Sequence, residues 1–460
     1  MKIFKLLSML LMMGSAHSSA SSSTYGHSWI ANSLIILFFI GYSLVIAEEK
    51  IHLKKSISML VTGSLMWLLL IISQTHYQIP INFNAEYDHI ILEFTHLFLF
   101  LFVAMTYINV MTERQIFNKL RERLVSVGFT YKQLFWITGF LAFFISPIAD
   151  NLTTALLMGA VVIAVGKEYP HFIKIGCINI VVAANAGGAF CPFGDITTLM
   201  IWQKGILPFT SFFKIFIPSL VNFYIPALLM SYTLNNTQPY SKNDSRPVQL
   251  KPFSFLIIIL FLVTIALAVL GQHFFKLSPT VGMMAGLTLL MALSFYSSMN
   301  NKRNELPVFK AMEKIEWDTM FFFYGIIMCV GILNILGLLQ SLSYFLYSQL
   351  GYYMPIEHHA LPANILVGLI SAIVDNIPVM VAILKMKPAL SEGHWLLVTL
   401  TAGVGGSLLS IGSAAGVALM GQARQYYNFL SHLKWSWAIF LGYIASIICH
   451  IWLNSSAFTV

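Results

Sequence analysis

The chain is 460 residues long, 58% of them apolar, with a mean hydropathy of +0.78. Lys and Arg number 26 against 18 Asp and Glu, so charged residues make up 10% of the chain, where a soluble domain carries about 25%. That composition excludes a water-soluble assembly of two or three domains and leaves an all-α polytopic membrane protein with room for roughly a dozen membrane elements. The apolar runs are continuous rather than alternating, which disfavours a β-barrel. Cys177, Cys191, Cys329 and Cys449 are scattered without ligand spacing, so neither a disulfide framework nor a zinc site is expected.

Residues 1–27 read as a signal-peptide-like leader: two lysines, a short apolar run, then a small-residue stretch with a cleavage position near Ala20, or else an uncleaved leader. Apolar segments follow at 28–47, 57–74, 90–111, 134–166, 172–203 and 210–233, forming a first transmembrane repeat over 28–233. The polar stretch 234–252 is a cytoplasmic linker. A second repeat over 253–460 holds segments at 253–271, 279–297, 318–339, 361–385, 395–420 and 436–454. The segment at 134–166 is too long for one helix and is interrupted by SPIADN; the one at 361–385 is interrupted by SAIVDN. Both are predicted to be re-entrant hairpins, with their non-helical tips packed in protein or lining a wet cavity.

On that topology nineteen basic residues fall in loops on one side and four (Lys204, Lys276, Lys385 and Lys387) in the outer loops, as the positive-inside rule requires of a cytoplasmic face. The net charge of +8 is therefore spread over short loops and does not indicate nucleic acid. Ser146-Pro-Ile-Ala-Asp150-Asn151 matches Ser371-Ala-Ile-Val-Asp375-Asn376 at an offset of 225 residues, and Ala184-Asn-Ala-Gly187-Gly188 matches Ala402-Gly-Val-Gly405-Gly406 at 218. Two ordered matches at nearly one spacing predict duplication, and opposite starting sides make the repeats inverted.

An ionised Asp at a helix centre costs roughly 2.5–3.5 kcal/mol on insertion scales, so Asp150 and Asp375 each need a partner, a proton or a cation. Asn151, Asn376, Thr153, Ser146 and Ser371 surround them with amide and hydroxyl oxygens, a hard-oxygen nest in which Asp150 and Asp375 would hold a transported Na+. Helix capping is the plainer role for an Asp-Asn pair. In AANAGGAFCPFGDITTLMIW, Gly187, Gly188, Pro192 and Gly194 predict a broken helix that presents Asn185, Asp195, Thr197 and Thr198 to the same cavity. The counterpart AGVGGSLLSIGSAAG places Ser413 where Asp195 stands, with Ser410 nearby; close helix packing explains its small residues equally well. Glu93 and His96, three apart on one helical face, form either a pH-sensing pair or a simple polar contact near the outer surface. Asp318 opens a span and is expected at an interface.

SPIADNLTTALL, NIVVAANAGGAFCPFGDITTLMIW, EWDTMFFFYGI, SAIVDNIPVMVAIL and GGSLLSIGSAAGVALMG together resemble the NhaD-type sodium/proton antiporters of the ion transporter superfamily, from about residue 28 to the C-terminus. The resemblance implies inverted repeats with hairpins and exchange of Na+ or Li+ for H+, with no ATP and no cofactor. It also implies a multi-pass location in the inner (plasma) membrane, with a homodimer as a candidate assembly. Asp150, Asn151, Asn185, Asp195, Thr197, Thr198, Asp375 and Asn376 match the functional polar positions of that family; Ser146, Ser371, Ser410 and Ser413 match less decisively. The rival on the same architecture is a sodium-coupled symporter of a dicarboxylate or other anion, which two tip carboxylates would repel. An enzyme is not expected: H-E-x-x-H, G-x-S-x-G and G-x-x-x-x-G-K-[ST] are all absent.

Overall fold

The structure is a computed structural model that describes residues 28–51, 53–77, 83–238, 248–300 and 306–459. The leader and much of the linker lie outside the described residues. So do four of the basic loop positions, Lys242, Arg246, Lys302 and Arg303.

Sixteen helices matter here: α1 (Ser28–Ile46), α2 (Lys55–Tyr77), α3 (Phe83–Glu113), α4 (Tyr131–Ala149), α5 (Asn151–Val165), α6 (Pro170–Ala189), α7 (Ile196–Gln203), α8 (Phe216–Ser231), α9 (Ser254–Phe275), α10 (Pro279–Asn300), α11 (Trp317–Ile335), α12 (Leu361–Ser371), α13 (Asn376–Met386), α14 (Glu392–Gly405), α15 (Ala414–Gln422) and α16 (Ser436–Leu453). Among the described residues, ten helical stretches are long and apolar enough to cross a membrane, and α5 and α13 are shorter apolar helices. The chain is thus an all-α polytopic membrane protein.

The chain packs into two compact units, each drawing on both halves of the sequence. The first holds residues up to Phe98, Glu316–Ala363 and Met380–Ala389; the second holds Leu99–Ile315, Asn364–Val379 and Leu390–Val460. In the first unit α2 packs on α1 and on α11 through small residues. A Cβ added at Gly325 would come within 2.6 Å of the Met59 backbone, so the two helices meet main chain to main chain. Asp318, at the start of α11, accepts a hydrogen bond from the Ser56 hydroxyl.

In the second unit α6 is the central post. Every residue from Ile175 to Ala189 is buried, with α4, α5, α8, α14 and α15 packed against the helix. The ends of α4 are written locally. Thr130 and Gln133 form a reciprocal capping box at its start. Near its end Pro147 has no N–H to give the Phe143 carbonyl. One residue, Asp150, then separates α4 from α5, with φ 59° and ψ 164°. Helix α6 ends at Ala189, just past the Gly187-Gly188 pair, and the chain turns through residues 190–194 before Asp195 caps α7.

Candidate functional site

Four helix starts lie close together in the second unit: those of α5, α7, α15 and α13, of which only residues up to Val379 belong to this unit. Asp150 caps α5, its Oδ1 accepting from the Thr153 N–H (2.7 Å) and its Oδ2 from the Thr153 hydroxyl (3.0 Å). Asp195 caps α7 and Ser413 caps α15 with nearly the same backbone angles, φ −146° and −147°. Asp375 precedes α13 and accepts from the Ile377 N–H at 3.5 Å. Helix N-termini favour carboxylates at their caps, which lowers the cost of gathering three acids here.

Asp195 is the hub. Oδ1 accepts from the Thr197 N–H (2.9 Å) and hydroxyl (3.1 Å), and Oδ2 accepts from Asn151 Nδ2 (3.1 Å) and Asn376 Nδ2 (2.9 Å). The asparagines that begin α5 and α13 thus meet on one oxygen atom. Asn151 Nδ2 also donates to Asn185 Oδ1 (3.1 Å), and Asn185 Nδ2 donates to Ser413 Oγ (2.9 Å). Asp195 is 4% exposed, and among the described residues no Lys, Arg or His nitrogen lies within 4 Å of it. An ionised carboxylate accepts on both oxygens, so all four donors fit that form. The side-chain carbonyl oxygens of Asn151 and Asn376 accept no hydrogen bond among the described residues.

The remaining expected residues divide by what they touch. Ser146 Oγ donates to the Ala184 carbonyl (2.6 Å) and Ser371 Oγ to the Ala402 carbonyl (2.8 Å), a pair matched at offsets of 225 and 218. Both serines brace a helix rather than the Asp195 cluster. Thr198 donates to the carbonyls of Cys191 (3.0 Å) and Asp195 (2.6 Å), closing the turn before α7. Ser410 is fully buried in the turn before α15. The same offsets recur in close backbone approaches. A Cβ at Gly187 would sit 2.1 Å from the Phe143 carbonyl oxygen, and one at Gly405 would sit 2.2 Å from that of Gly368. Gly194 meets Pro147 as Gly412 meets Ala372.

Glu93 and His96 belong to the first unit and are not among the residues bonded to Asp195. Glu93 Oε2 pairs with Lys385 Nζ at 2.6 Å, and its Oε1 lies 3.7 Å from His89 Nδ1. Sequence reasoning placed Lys385 in an outer loop; it sits instead in the last turn of α13, 9% exposed. A lysine at the edge of an apolar run looks like a loop residue, and nothing local shows that its partner lies on α3. The central position of Asp195 was also underrated. The spacing Asp195-Ile-Thr197 directly after a Gly-Pro turn is a helix-cap signature that could have located it.

A buried carboxylate, Asp195, joined by asparagines next to two half-buried aspartates at helix starts, in a chain whose described residues include ten membrane-length helices, is what a secondary transporter requires. A family profile described as "Citrate transporter" (CitMHS) matches residues 5–403. The Na(+)/H(+) antiporter NhaD of Alkalimonas amylolytica is 49% identical over 450 residues, covering 93% of this chain and 91% of the relative. That of Vibrio cholerae serotype O1 is 48% identical over 461 residues, covering 95% and 94%. Sodium/proton antiporter 1 of Arabidopsis thaliana is 30% identical over 459 residues, covering 97% of this chain and 77% of the plant protein. The chain belongs to the NhaD family.

Proposed function

We propose that this chain exchanges Na+ or Li+ for H+ by alternating access, extruding sodium across the inner (plasma) membrane, with the cluster around Asp195 as the ion site. The observation that carries this reading is the meeting of Asn151 and Asn376 on one Asp195 oxygen, which leaves both amide oxygens available to a cation. With Asp195 ionised, the amide N–H groups face the carboxylate and the amide oxygens face away. Protonation would put an O–H donor against two N–H donors and break at least one of these contacts. Proton and sodium therefore oppose each other through the same side chains. Asp150 and Asp375 supply further carboxylate oxygens, and the carbonyls at the ends of α4, α6, α12 and α14 are of the type that holds Na+ in broken helices.

Competition has a kinetic signature. In everted vesicles, the apparent KM for sodium is expected to rise as pH falls, while the maximal rate at saturating sodium changes less. A sodium affinity independent of pH would sink the shared site and favour separate paths for the two ions.

The architecture that suits this mechanism is a pair of inverted repeats, 28–233 and 253–460 joined by the 234–252 linker. Each would carry a re-entrant hairpin (α4–α5 and α12–α13) and a broken helix (α6–α7 and α14–α15). The matched Ser and Gly contacts at offsets of 225 and 218 support it, because chance recurrence would not keep the same partners. On this topology, cysteines introduced beside Lys132 and Lys167 are labelled only from the cytoplasm, and those beside Leu361 and Lys387 only from outside. Labelling of either pair from opposite sides would make that hairpin a spanning pair. The anion-symporter reading is disfavoured by the three carboxylates, whose charges in a weakly screened site would repel the substrate.

A further inference from the structure

A groove of about 420 Å³ lies between α4 and α8, away from the ion cluster. It is lined by two helical stripes. Lys132, Trp136 and Phe140 lie four residues apart along α4, and Tyr224, Leu228 and Tyr232 do the same along α8 and its cap. Both helices belong to membrane-length stretches and Tyr224 and Tyr232 on the groove's wall are exposed, as expected of a groove that faces the bilayer. Its two ends differ chemically. At the helix ends the Lys132 ammonium stands 5.6 Å from the centre of the Tyr232 ring, beside the Ser231 and Tyr232 hydroxyls. Further in, Trp136 packs against Phe140 (5.8 Å) and Tyr224 (5.5 Å), and Leu228 completes an apolar wall. Eight residues of helix carry the groove roughly 12 Å inward from Lys132 to Phe140. That is the run from a lipid headgroup to its upper acyl chain. Among the described residues no carboxylate oxygen lies within 4 Å of Lys132 Nζ. A neighbouring cavity of about 270 Å³, beyond Tyr131, is lined by Glu168 and offers a phosphate the wrong charge.

We propose that this groove binds an anionic phospholipid, its phosphate at Lys132 and its acyl chain along Trp136, Phe140 and Leu228. Charge complementarity selects an acidic headgroup over a zwitterionic one. One basic residue near a membrane surface corresponds to a preference of about fivefold. The inference rests on the membrane location alone, so its failure would leave the transport reading untouched.

The test uses the full-length protein in phosphatidylcholine vesicles. Phosphatidylglycerol or phosphatidylcholine, brominated at the same acyl position, is added in increasing mole fraction. Quenching of Trp136 is read as the difference between the wild type and Trp136→Phe. Brominated phosphatidylglycerol should reach half-maximal quenching at about one-fifth the mole fraction needed by brominated phosphatidylcholine. Lys132→Gln should bring the two curves together, and Lys132→Arg should keep them apart. Coincident curves in the wild type would overturn the proposal. So would a headgroup preference that survives Lys132→Gln.

Discussion

Everted vesicles carrying Asp195→Asn are expected to show no more sodium-driven proton efflux than vesicles without the protein. The change is nearly isosteric, yet it strikes the hub twice. It removes the group that, on the proposed mechanism, alternates between proton and charge, and it turns one acceptor into an NH2. That NH2 would face either the Thr197 donors or the amide N–H groups of Asn151 and Asn376, and each mismatch at a buried site costs about 1–3 kcal/mol. Asp150→Asn and Asp375→Asn should also bring efflux to background, while the protein still reaches the membrane. Asn is as good a helix cap as Asp, and it removes a charge that is expensive within the bilayer. Wild-type efflux from either tip variant would reduce that aspartate to a cap, and wild-type efflux from Asp195→Asn would move the ion site elsewhere.

The largest effect on folding should come from a single methyl group at Gly187. Its Cβ would lie 2.1 Å from the Phe143 carbonyl oxygen and 2.9 Å from the Phe143 Cα. Both are main-chain atoms and cannot swing aside as a side chain would. Overpacking a core costs about 1–3 kcal/mol when side chains can adjust, and more when they cannot. Gly187→Ala is therefore expected to lower the midpoint of thermal aggregation in detergent sharply, or to prevent recovery of folded protein. Gly405→Ala should behave alike, because its Cβ would meet the Gly368 carbonyl oxygen at 2.2 Å. Gly271→Ala and Gly421→Ala, where no atom lies within 4 Å of the added group, serve as controls and should match the parent. Equal stability of Gly187→Ala and Gly271→Ala would show that α4 and α6 can separate without loss.

What could be read in the sequence, and what could not, follows from the range of the forces involved. The membrane helices are legible because hydropathy is a property of contiguous residues: α9 and α16 fall where uninterrupted apolar runs put them. Helix ends at Ala149 and Ala189 are legible because Pro147 and the Gly187-Gly188 pair act on their own turns. Which polar groups would meet was harder to see. Thr153, three residues from Asp150, holds that carboxylate through local geometry. Asn151 and Asn376 stand far from Asp195 in sequence, and no spacing rule shows that both amides turn their N–H groups to it. The pairing of Glu93 with Lys385 was hidden for the same reason.

Asp150 couples two demands that pull in opposite directions. Its backbone, at φ 59° and ψ 164°, lies in a region that glycine occupies without penalty and other residues enter at a cost of order 1–3 kcal/mol. At a helix cap, exchanging Asp for Gly sacrifices only a few tenths of a kcal/mol. On conformational grounds, then, glycine would fold better at this position, and glycine has no carboxylate. If Asp150 serves the proposed ion site, thermostability and ion exchange pull against each other at this one residue. On the proposed ion site, selection for heat resistance alone would replace the acid at this position, and Asp150 would be held below its stability optimum for the sake of turnover.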